Sequence, residues 1–124
     1  MTELRWFEPE EFYCPCGRST CEAPRSIAPE LGVALDVLRT KLRRPLIVTS
    51  ACRCAWHNAR LGGEADSQHL TGRAADLLIA SSAERFQLLK YAPTYFRRIG
   101  LAAKHLHVDT GASPLDVCWL EAGT

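Results

Sequence analysis

The sequence has no excess of charge of either sign. Its 124 residues carry 15 Lys and Arg against 14 Asp and Glu, which gives a formal net charge of +1. Proteins that bind the phosphates of nucleic acids usually have a clear positive surplus, and disordered chains usually have a large net charge. The balance therefore predicts one globular domain, residues 1–124, without a nucleic-acid partner.

Long apolar runs are also missing. The longest ones, Pro45–Val48 and Ala74–Ala80, are far shorter than the roughly 20 residues that cross a bilayer. Residues 1–12 contain four acidic side chains and no apolar stretch, which argues against a secretory signal. We therefore expect no membrane partner, and we expect the chain to stay in the cytoplasm until something releases it.

Histidine is scarce, with four residues, whereas cysteine is frequent, with six. Cytoplasmic thiols stay reduced, so cysteine clusters there bind metal or serve catalysis more often than they form disulfides. Cys14, Cys16 and Cys21 lie in a turn-rich stretch, and Cys52 and Cys54 form a second close pair. The first three, with one of the later two, could hold a structural zinc ion. Alternatively, these residues could form disulfides in an oxidising space or remain thiols.

The hydrophobic pattern predicts an α+β domain. Apolar residues at helical spacing predict an amphipathic helix over Pro29–Arg44, and further helices are expected at Ala55–Leu61 and from Ser81 to about Tyr91, before Pro93. Strands are expected at Leu46–Thr49, Ala74–Ala80, Arg98–Ala102, His105–Asp109 and Val117–Leu120. Without βαβ regularity, the sheet should be small and mainly antiparallel, with helices packed on it. Cys118 is expected to be buried as a small hydrophobic residue.

Histidine and aspartate occur in a pattern that suits a metal ion. Asp76 lies within an apolar strand, where a buried carboxylate is costly unless a cation or another partner compensates it, and His69 lies in the loop before it. The two-residue period of a strand puts His105, His107 and Asp109 on one face. Two imidazoles and one carboxylate, with a position left for water, are typical of a catalytic zinc site. The alternative is a hydrogen-bonded cluster without metal.

Most of the chain resembles a known family. The motif that carries the resemblance is Ser67-x-His69-x-x-Gly72-x-Ala74-x-Asp76, followed by a strand bearing His107. It is similar to the zinc D-Ala-D-Ala carboxypeptidase family, peptidase family M-15, and its phage endolysin relatives, which share a fold with the hedgehog signalling domain. Segments 47–53, 57–63 and 107–111 match as well, so the resemblance covers residues 28–120 and leaves 1–27 as a cysteine-containing arm.

The resemblance implies a peptidase with one catalytic Zn²⁺ that cuts peptide bonds in peptidoglycan stem peptides or crosslinks. Such an enzyme would be a D-alanyl carboxypeptidase or an endopeptidase. The implied zinc ligands are His69, Asp76 and His107. Arg53 would clamp the carbonyl or carboxylate of the substrate, and Ser67 would hydrogen-bond the substrate backbone. The resemblance also implies a monomer that acts on the cell wall, as an endolysin does in a phage-infected host.

One position departs from the pattern of the family. Many relatives have Asp or Glu three residues before the last zinc histidine, but this chain has Lys104, which cannot accept a proton while it is charged. His105 and Asp109 are candidates for moving protons because they share a face with His107, although Asp109 could equally support that histidine. Lys104 favours an alternative function, a catalytically silent zinc module that binds peptide or a protein partner. A further alternative is a metal or redox protein built around the cysteines.

Overall fold

A five-stranded sheet forms the centre of the computed structural model, which describes residues 3–121. Its strands are β1 (Val48–Ser50), β2 (Ala74–Leu78), β3 (Arg98–Leu101), β4 (His105–Asp109) and β5 (Val117–Leu120). They lie in the order β1-β2-β4-β3-β5, and every neighbouring pair is antiparallel except β3 and β5, which are parallel. The predicted α+β class with a mainly antiparallel sheet is confirmed.

Two long helices cover one face of this sheet. The helices are α1 (Pro29–Leu42), α2 (Ala55–Arg60) and α3 (Ser82–Tyr95), and short 3₁₀ helices occur at Pro9–Phe12 and Gln68–Thr71. Leu31, Leu35 and Leu38 follow helical spacing on α1 and are fully buried, and each contributes about 1.5–3 kcal/mol through burial. They join residues of α3 and of the sheet in one core, among them Leu77, Leu88, Ala92, Ile99, Leu106 and Val108.

Helix α3 continues past Pro93, the residue that was expected to end it. Proline has no N–H and usually disfavours a helix interior. Here it lies in the last turn, and the Phe96 N–H donates to the Ala92 carbonyl at 2.9 Å. Ala92 and Phe96 are both buried in the core. Their packing favours the additional turn.

The strands β1 and β2 are displaced or shortened relative to the prediction. Strand β1 begins at Val48 rather than Leu46, and β2 ends at Leu78 rather than Ala80. Leu78 lies opposite His105, the first residue of β4, so the ladder between β2 and β4 ends there. The apolar residues beyond these ends still pack as predicted, because Leu46 and Ile79 are buried.

The edge strand β5 lies beyond the helical cover. Cys118 pairs in register with Ile99 on β3, which is buried, yet Cys118 itself is exposed. The helices therefore stop covering the sheet between β3 and β5, and the expectation of a buried Cys118 is wrong.

The pleat of β4 separates the core from a polar face. Leu106 and Val108 point into the core, whereas His105, His107 and Asp109 point to the opposite face, as the alternation predicted. Within residues 3–121, no helix combines the length and the apolar character that a membrane crossing requires.

Candidate metal centre and active-site cleft

One carboxylate oxygen of Asp76 lies between two imidazole nitrogens. His69 Nε2 and His107 Nδ1 are each 3.2 Å from Asp76 Oδ1, and all three residues are buried. Zinc bonds of about 2.0 to 2.1 Å at tetrahedral angles would place ligand atoms about 3.3 Å apart. The three predicted ligands therefore have the identity and spacing of a zinc site.

Strand pairing and a tight turn bring these ligands together. Asp76 on β2 lies directly opposite His107 on β4. His69 lies on the 3₁₀ helix that Ser67 caps, and the Ser67 hydroxyl accepts a hydrogen bond from the His69 N–H at 3.2 Å. Gly72 ends this helix at φ +72°, a left-handed conformation that glycine adopts without strain. The turn then leads into β2.

Hydrogen bonds orient both imidazole rings. His69 Nδ1 lies 2.6 Å from the Ala51 carbonyl and donates to it, which turns Nε2 toward Asp76. His107 Nε2 lies 2.7 Å from Asp109 Oδ2, and this contact directs the other ring nitrogen of His107, Nδ1, toward Asp76. Such partners behind metal-binding histidines fix the tautomer and the ring orientation.

Asp109 is enclosed by groups that hold it against His107. Its side chain is fully buried, and it accepts hydrogen bonds from the Arg98 Nε–H at 2.7 Å and the Gly111 N–H at 2.9 Å. Burial alone would raise the pKa of Asp109, but the hydrogen bond with His107 and its other partners outweigh burial and lower it. These contacts favour the interpretation in which Asp109 supports His107.

The electrostatics of the cluster favour a positive charge at its centre. Burial alone would raise the pKa of Asp76, but hydrogen bonds with His107 and His69 outweigh burial and hold it well below its usual range. Burial alone would lower the pKa of His107, but hydrogen bonds with Asp109 and Asp76 raise it to about 9. The buried carboxylates thus stabilise a nearby cation, whether a proton on His107 or a metal ion.

Arg53 is buried beside the second oxygen of Asp76. Its Nη2 donates to Asp76 Oδ2 at 3.0 Å, its Nη1 to Asn58 Oδ1 at 3.1 Å, and its Nε to Ser50 Oγ at 3.0 Å. Burial lowers the pKa of the guanidinium, partly offset by Asp76. A Cβ at Gly63 would overlap the Asn58 side chain, so the glycine leaves room for this support. Arg53 therefore holds the carboxylate, while its contact with substrate stays a prediction.

A cleft of about 350 Å³ opens over the cluster, and Arg53 lies in its lining. One wall is formed by residues of the segment 61–69, including Ser67, the predicted contact to the substrate backbone. The lining also includes Trp119, Glu121 and His105. A peptide could enter such a cleft and reach the three buried ligands.

Glu121 is a functional candidate that the sequence reasoning missed. Its Oε2 accepts a hydrogen bond from Trp119 Nε1 at 2.8 Å, and its Oε1 lies 3.8 Å from both His105 Nε2 and His107 Nδ1. The interaction with His105 contributes most to lowering the pKa of Glu121, and in turn it raises the pKa of His105. The two-residue spacing of Trp119 and Glu121 was the available signal, because it places both on one side of the chain.

Gly100 gives Trp119 and Glu121 access to the site. It lies between His107 on β4 and Trp119 on β5 in the sheet register. A Cβ at Gly100 would approach Trp119 Nε1 to 2.8 Å and Glu121 Cδ to 2.9 Å. Because glycine has no side chain, the indole can cross β3 with its ring centre 5.4 Å from that of His107.

A second group of metal-type ligands lies between the cysteine-containing arm and α2. The Sγ atoms of Cys14, Cys16, Cys21 and Cys54 all lie within 4.8 Å of one another. None of the six cysteines, all of which lie within residues 3–121, is in a disulfide. The His57 N–H donates to the Cys54 sulfur, and this interaction contributes most to lowering the Cys54 pKa to about 7.

Cys52 is outside this group, although sequence reasoning gave it and Cys54 equal standing. It is fully buried, and burial raises the pKa of its thiol to about 11. Its N–H donates to the Phe12 carbonyl at 3.0 Å, so its backbone contacts the arm while its thiol stays apart from the four sulfurs.

Comparison with protein families agrees with the geometry of the cleft. The family model Peptidase M15 matches residues 5–115. The chain belongs to this family. The family predicted from the His69 and Asp76 motif is thereby confirmed, and the protein is a metallopeptidase whose substrate is a peptide. The zinc dependence of the family fits the His69, Asp76 and His107 ligand set. No curated protein sequence matches the chain significantly.

Proposed function

We propose that the protein hydrolyses peptide bonds in the stem peptides or crosslinks of bacterial peptidoglycan, as a zinc-dependent D-alanyl carboxypeptidase or endopeptidase. The observation that carries the proposal is the buried cluster of His69, Asp76 and His107 at the base of an open cleft. Its substrate class is supported by the motif from Ser67 to Asp76 and by the family match.

Zinc bound by His69, Asp76 and His107 would polarise the scissile carbonyl and make water a nucleophile near neutral pH. Side chains of the protein would position the substrate. Arg53 holds Asp76 by one oxygen and has further N–H groups for a substrate carbonyl or carboxylate. The Ser67 oxygen already accepts from the His69 N–H, so its hydroxyl proton can be donated to a backbone carbonyl of the substrate.

In this proposal Glu121 is the proton carrier. Its lowered pKa keeps the carboxylate ionised at neutral pH, so Oε1 can accept a proton from the attacking water. After the C–N bond breaks, the same oxygen would return the proton to the leaving amine. His105 Nε2, 3.8 Å from Glu121 Oε1, would donate to the negative charge that develops on the substrate.

Glu121 also bears on the choice between a peptidase and a silent binding module. The module was favoured by Lys104, which stands where many relatives have an acid. Glu121 lines the cleft and provides a carboxylate from a different part of the chain. Hydrolysis is therefore the function that the site supports better.

We propose a monomer that acts on the cell wall after release from the cytoplasm, as a phage or prophage lysis enzyme would. The test of the activity is incubation of the zinc-loaded protein with purified peptidoglycan. We expect new amino termini, with free D-alanine if the enzyme is a carboxypeptidase and conversion of crosslinked muropeptides to monomers if it is an endopeptidase.

Two variants serve as controls for this assay. His69→Ala removes a proposed ligand and should abolish cleavage. Asp116→Asn alters only a carboxylate that pairs with Arg97 at the surface, and it should cleave like the wild type. Binding of wall fragments without any new amino terminus would support the silent module instead.

A further inference from the structure

The cysteine cluster has the dimensions of a tetrathiolate metal site. Zinc–sulfur bonds of about 2.3 Å at tetrahedral angles place the sulfur atoms about 3.8 Å apart. Cys54 Sγ lies 3.9 Å from Cys14 Sγ and 3.8 Å from Cys16 Sγ, and Cys21 completes the group within 4.8 Å. Two of the distances therefore match a tetrathiolate site, and all four sulfurs lie close enough together to share one ion.

The arrangement is not that of a disulfide pair. In a disulfide, two sulfurs lie about 2.05 Å apart, and the bond does not require any other sulfur to be nearby. Here the Cys54 sulfur is nearly equidistant from those of Cys14 and Cys16, so no single pair is singled out. Shared proximity of four sulfurs is what a common central ion requires.

Backbone amides support negative charge on these sulfurs. The Arg18 N–H lies 3.4 Å from Cys16 Sγ, and the His57 N–H lies 3.4 Å from Cys54 Sγ. Gly17, at φ +71°, gives the turn that directs the Arg18 amide back to the sulfur. Hydrogen bonds of this kind stabilise a thiolate, the form of cysteine that binds metal.

Positive side chains accompany the cluster. The guanidinium groups of Arg18 and Arg60 lie 4.4 Å and 4.8 Å from the ring centre of Trp56, two residues after Cys54. A divalent ion with four thiolates has a net charge of about −2 from its formal charges. Arg18 of the arm and Arg60 of α2 both pack on Trp56, so two positive charges lie in the same part of the molecule as these sulfurs.

We propose that Cys14, Cys16, Cys21 and Cys54 bind a second zinc ion whose role is structural. The four protein ligands leave no position for water or substrate, unlike the three ligands in the cleft. The proposal does not depend on the peptidase activity, because its ligands are separate from those of the cleft.

The second ion would fasten the arm to the segment that positions Arg53. Cys54 directly follows Arg53 and is the N-cap of α2, and the Cys52 N–H donates to the Phe12 carbonyl. Between Phe12 and α1, the arm has no helix or strand to order it. A metal bond network offsets the conformational entropy lost in ordering such a segment.

Alkylation of the wild-type protein tests the site without substituting any cysteine. The zinc-loaded protein is treated with iodoacetamide, before and after a chelator, and the modified cysteines are located by mass spectrometry. We expect Cys118, which is exposed, to react in both cases and the four cluster cysteines to react only after chelation. Reaction of all four without chelator would show simple thiols, and protection that only a reductant removes would show disulfides; either result would overturn the proposal.

The zinc content per chain provides the second measurement. We expect two zinc ions in the wild type, one after His69→Ala with His107→Ala, and one after Cys16→Ser with Cys54→Ser. Cys118→Ser is the matched control and should retain two. A wild type with one zinc that the histidine substitutions remove would disprove the second site while leaving the proposed peptidase intact.

Discussion

Asp109 and Glu121 are both carboxylates near His107, but their surroundings differ. Asp109 is fully enclosed and bonded to His107, Arg98 and the Gly111 N–H. Glu121 lies in the cleft wall at 3.8 Å from both histidines of β4. Enclosure suits a group that fixes a ligand, whereas a position in the cleft suits a group that exchanges protons with substrate.

Glu121→Gln should reduce the rate without removing the metal. The amide retains the size of the side chain but cannot accept a proton, and general acid–base catalysis contributes about 10²- to 10⁴-fold. We expect kcat to fall by at least about 100-fold with unchanged zinc content, measured on a synthetic stem peptide. Asp116→Asn again serves as the control, and an unchanged kcat would remove Glu121 from the mechanism.

Asp109→Asn should act on metal binding instead. Loss of a carboxylate behind a metal-binding histidine typically costs about 10- to 100-fold in metal affinity or activity. We expect weaker zinc binding at the cleft site, measured by competition with a chromogenic chelator, while Glu121→Gln binds zinc normally. If Asp109→Asn keeps its affinity and loses only kcat, Asp109 is the proton carrier that sequence reasoning also considered.

Two groups of site residues could be predicted from close spacing along the chain, because His69 and Asp76 flank one turn and the β4 residues alternate on one strand. The grouping of His107 and Arg53 with them was implied only by the resemblance to the family, since the pairing of β2 with β4 and other long-range contacts bring these residues together.

Glu121 reaches the cluster only through the pairing of β5 with β3, a long-range contact that its two-residue spacing from Trp119 does not predict. For the same reason, the sequence did not show whether Cys52 or Cys54 joins the three cysteines of the arm. The position of the arm in the fold decides that it is Cys54.

At the scale of elements, Gly100 links three neighbouring strands. Its missing side chain lets Trp119 of β5 cross β3 and approach His107 of β4. A side chain at this position would push the indole and Glu121 away from the cleft. The position of Glu121, the proposed proton carrier, therefore depends on Gly100, which takes no direct part in the reaction.

Gly100→Ala should lower activity by displacing Trp119 and Glu121. Small displacements of catalytic groups can cost about 100-fold in rate, and we expect a loss of kcat approaching that size with zinc content unchanged. Gly32→Ala is the matched control, because its Cβ would meet only the ends of the Leu4 and Ile27 side chains, at 3.1 Å and 3.5 Å, and alanine favours the helix by about 1 kcal/mol. Equal activity of both variants would contradict the role of Gly100.

The elements themselves were largely predictable, and their ends were not. Helix α1 follows from its periodic leucines, and the strands follow from alternation or apolar runs. Pro93 was a misleading stop signal because the burial of Ala92 and Phe96 favours another turn. The ends of β1 and β2 depend on where neighbouring strands lie, and the parallel direction of β5 depends on a connection that no local pattern encodes.

At the scale of the whole molecule, the core and the site occupy opposite faces of the sheet. The helices protect one face, while β5 at the edge has three exposed residues among its four. Segments with little buried apolar surface open locally at lower free energy than the core. Strand β5 should therefore be the part of the sheet that opens first.

Heating should abolish activity before the molecule unfolds. Opening of β5 would withdraw Glu121 from the cleft while the helices stay packed on β2 and β4. We expect faster amide hydrogen exchange in β5 than in β2 and β4, and loss of cleavage at a lower temperature than loss of far-ultraviolet circular dichroism. Coincident thermal transitions with equal exchange in the three strands would contradict this order of opening.

The wall formed by segment 61–69 has a consequence for engineering. Of its residues, His69 is anchored to the Ala51 carbonyl, whereas Leu61 and Gly62 are exposed at the rim of the cleft. Loops on a rigid scaffold tolerate exchange better than strands do. A library randomised at this rim, with β2 and β4 left intact, could therefore yield variants of altered selectivity that retain the same hydrolytic centre.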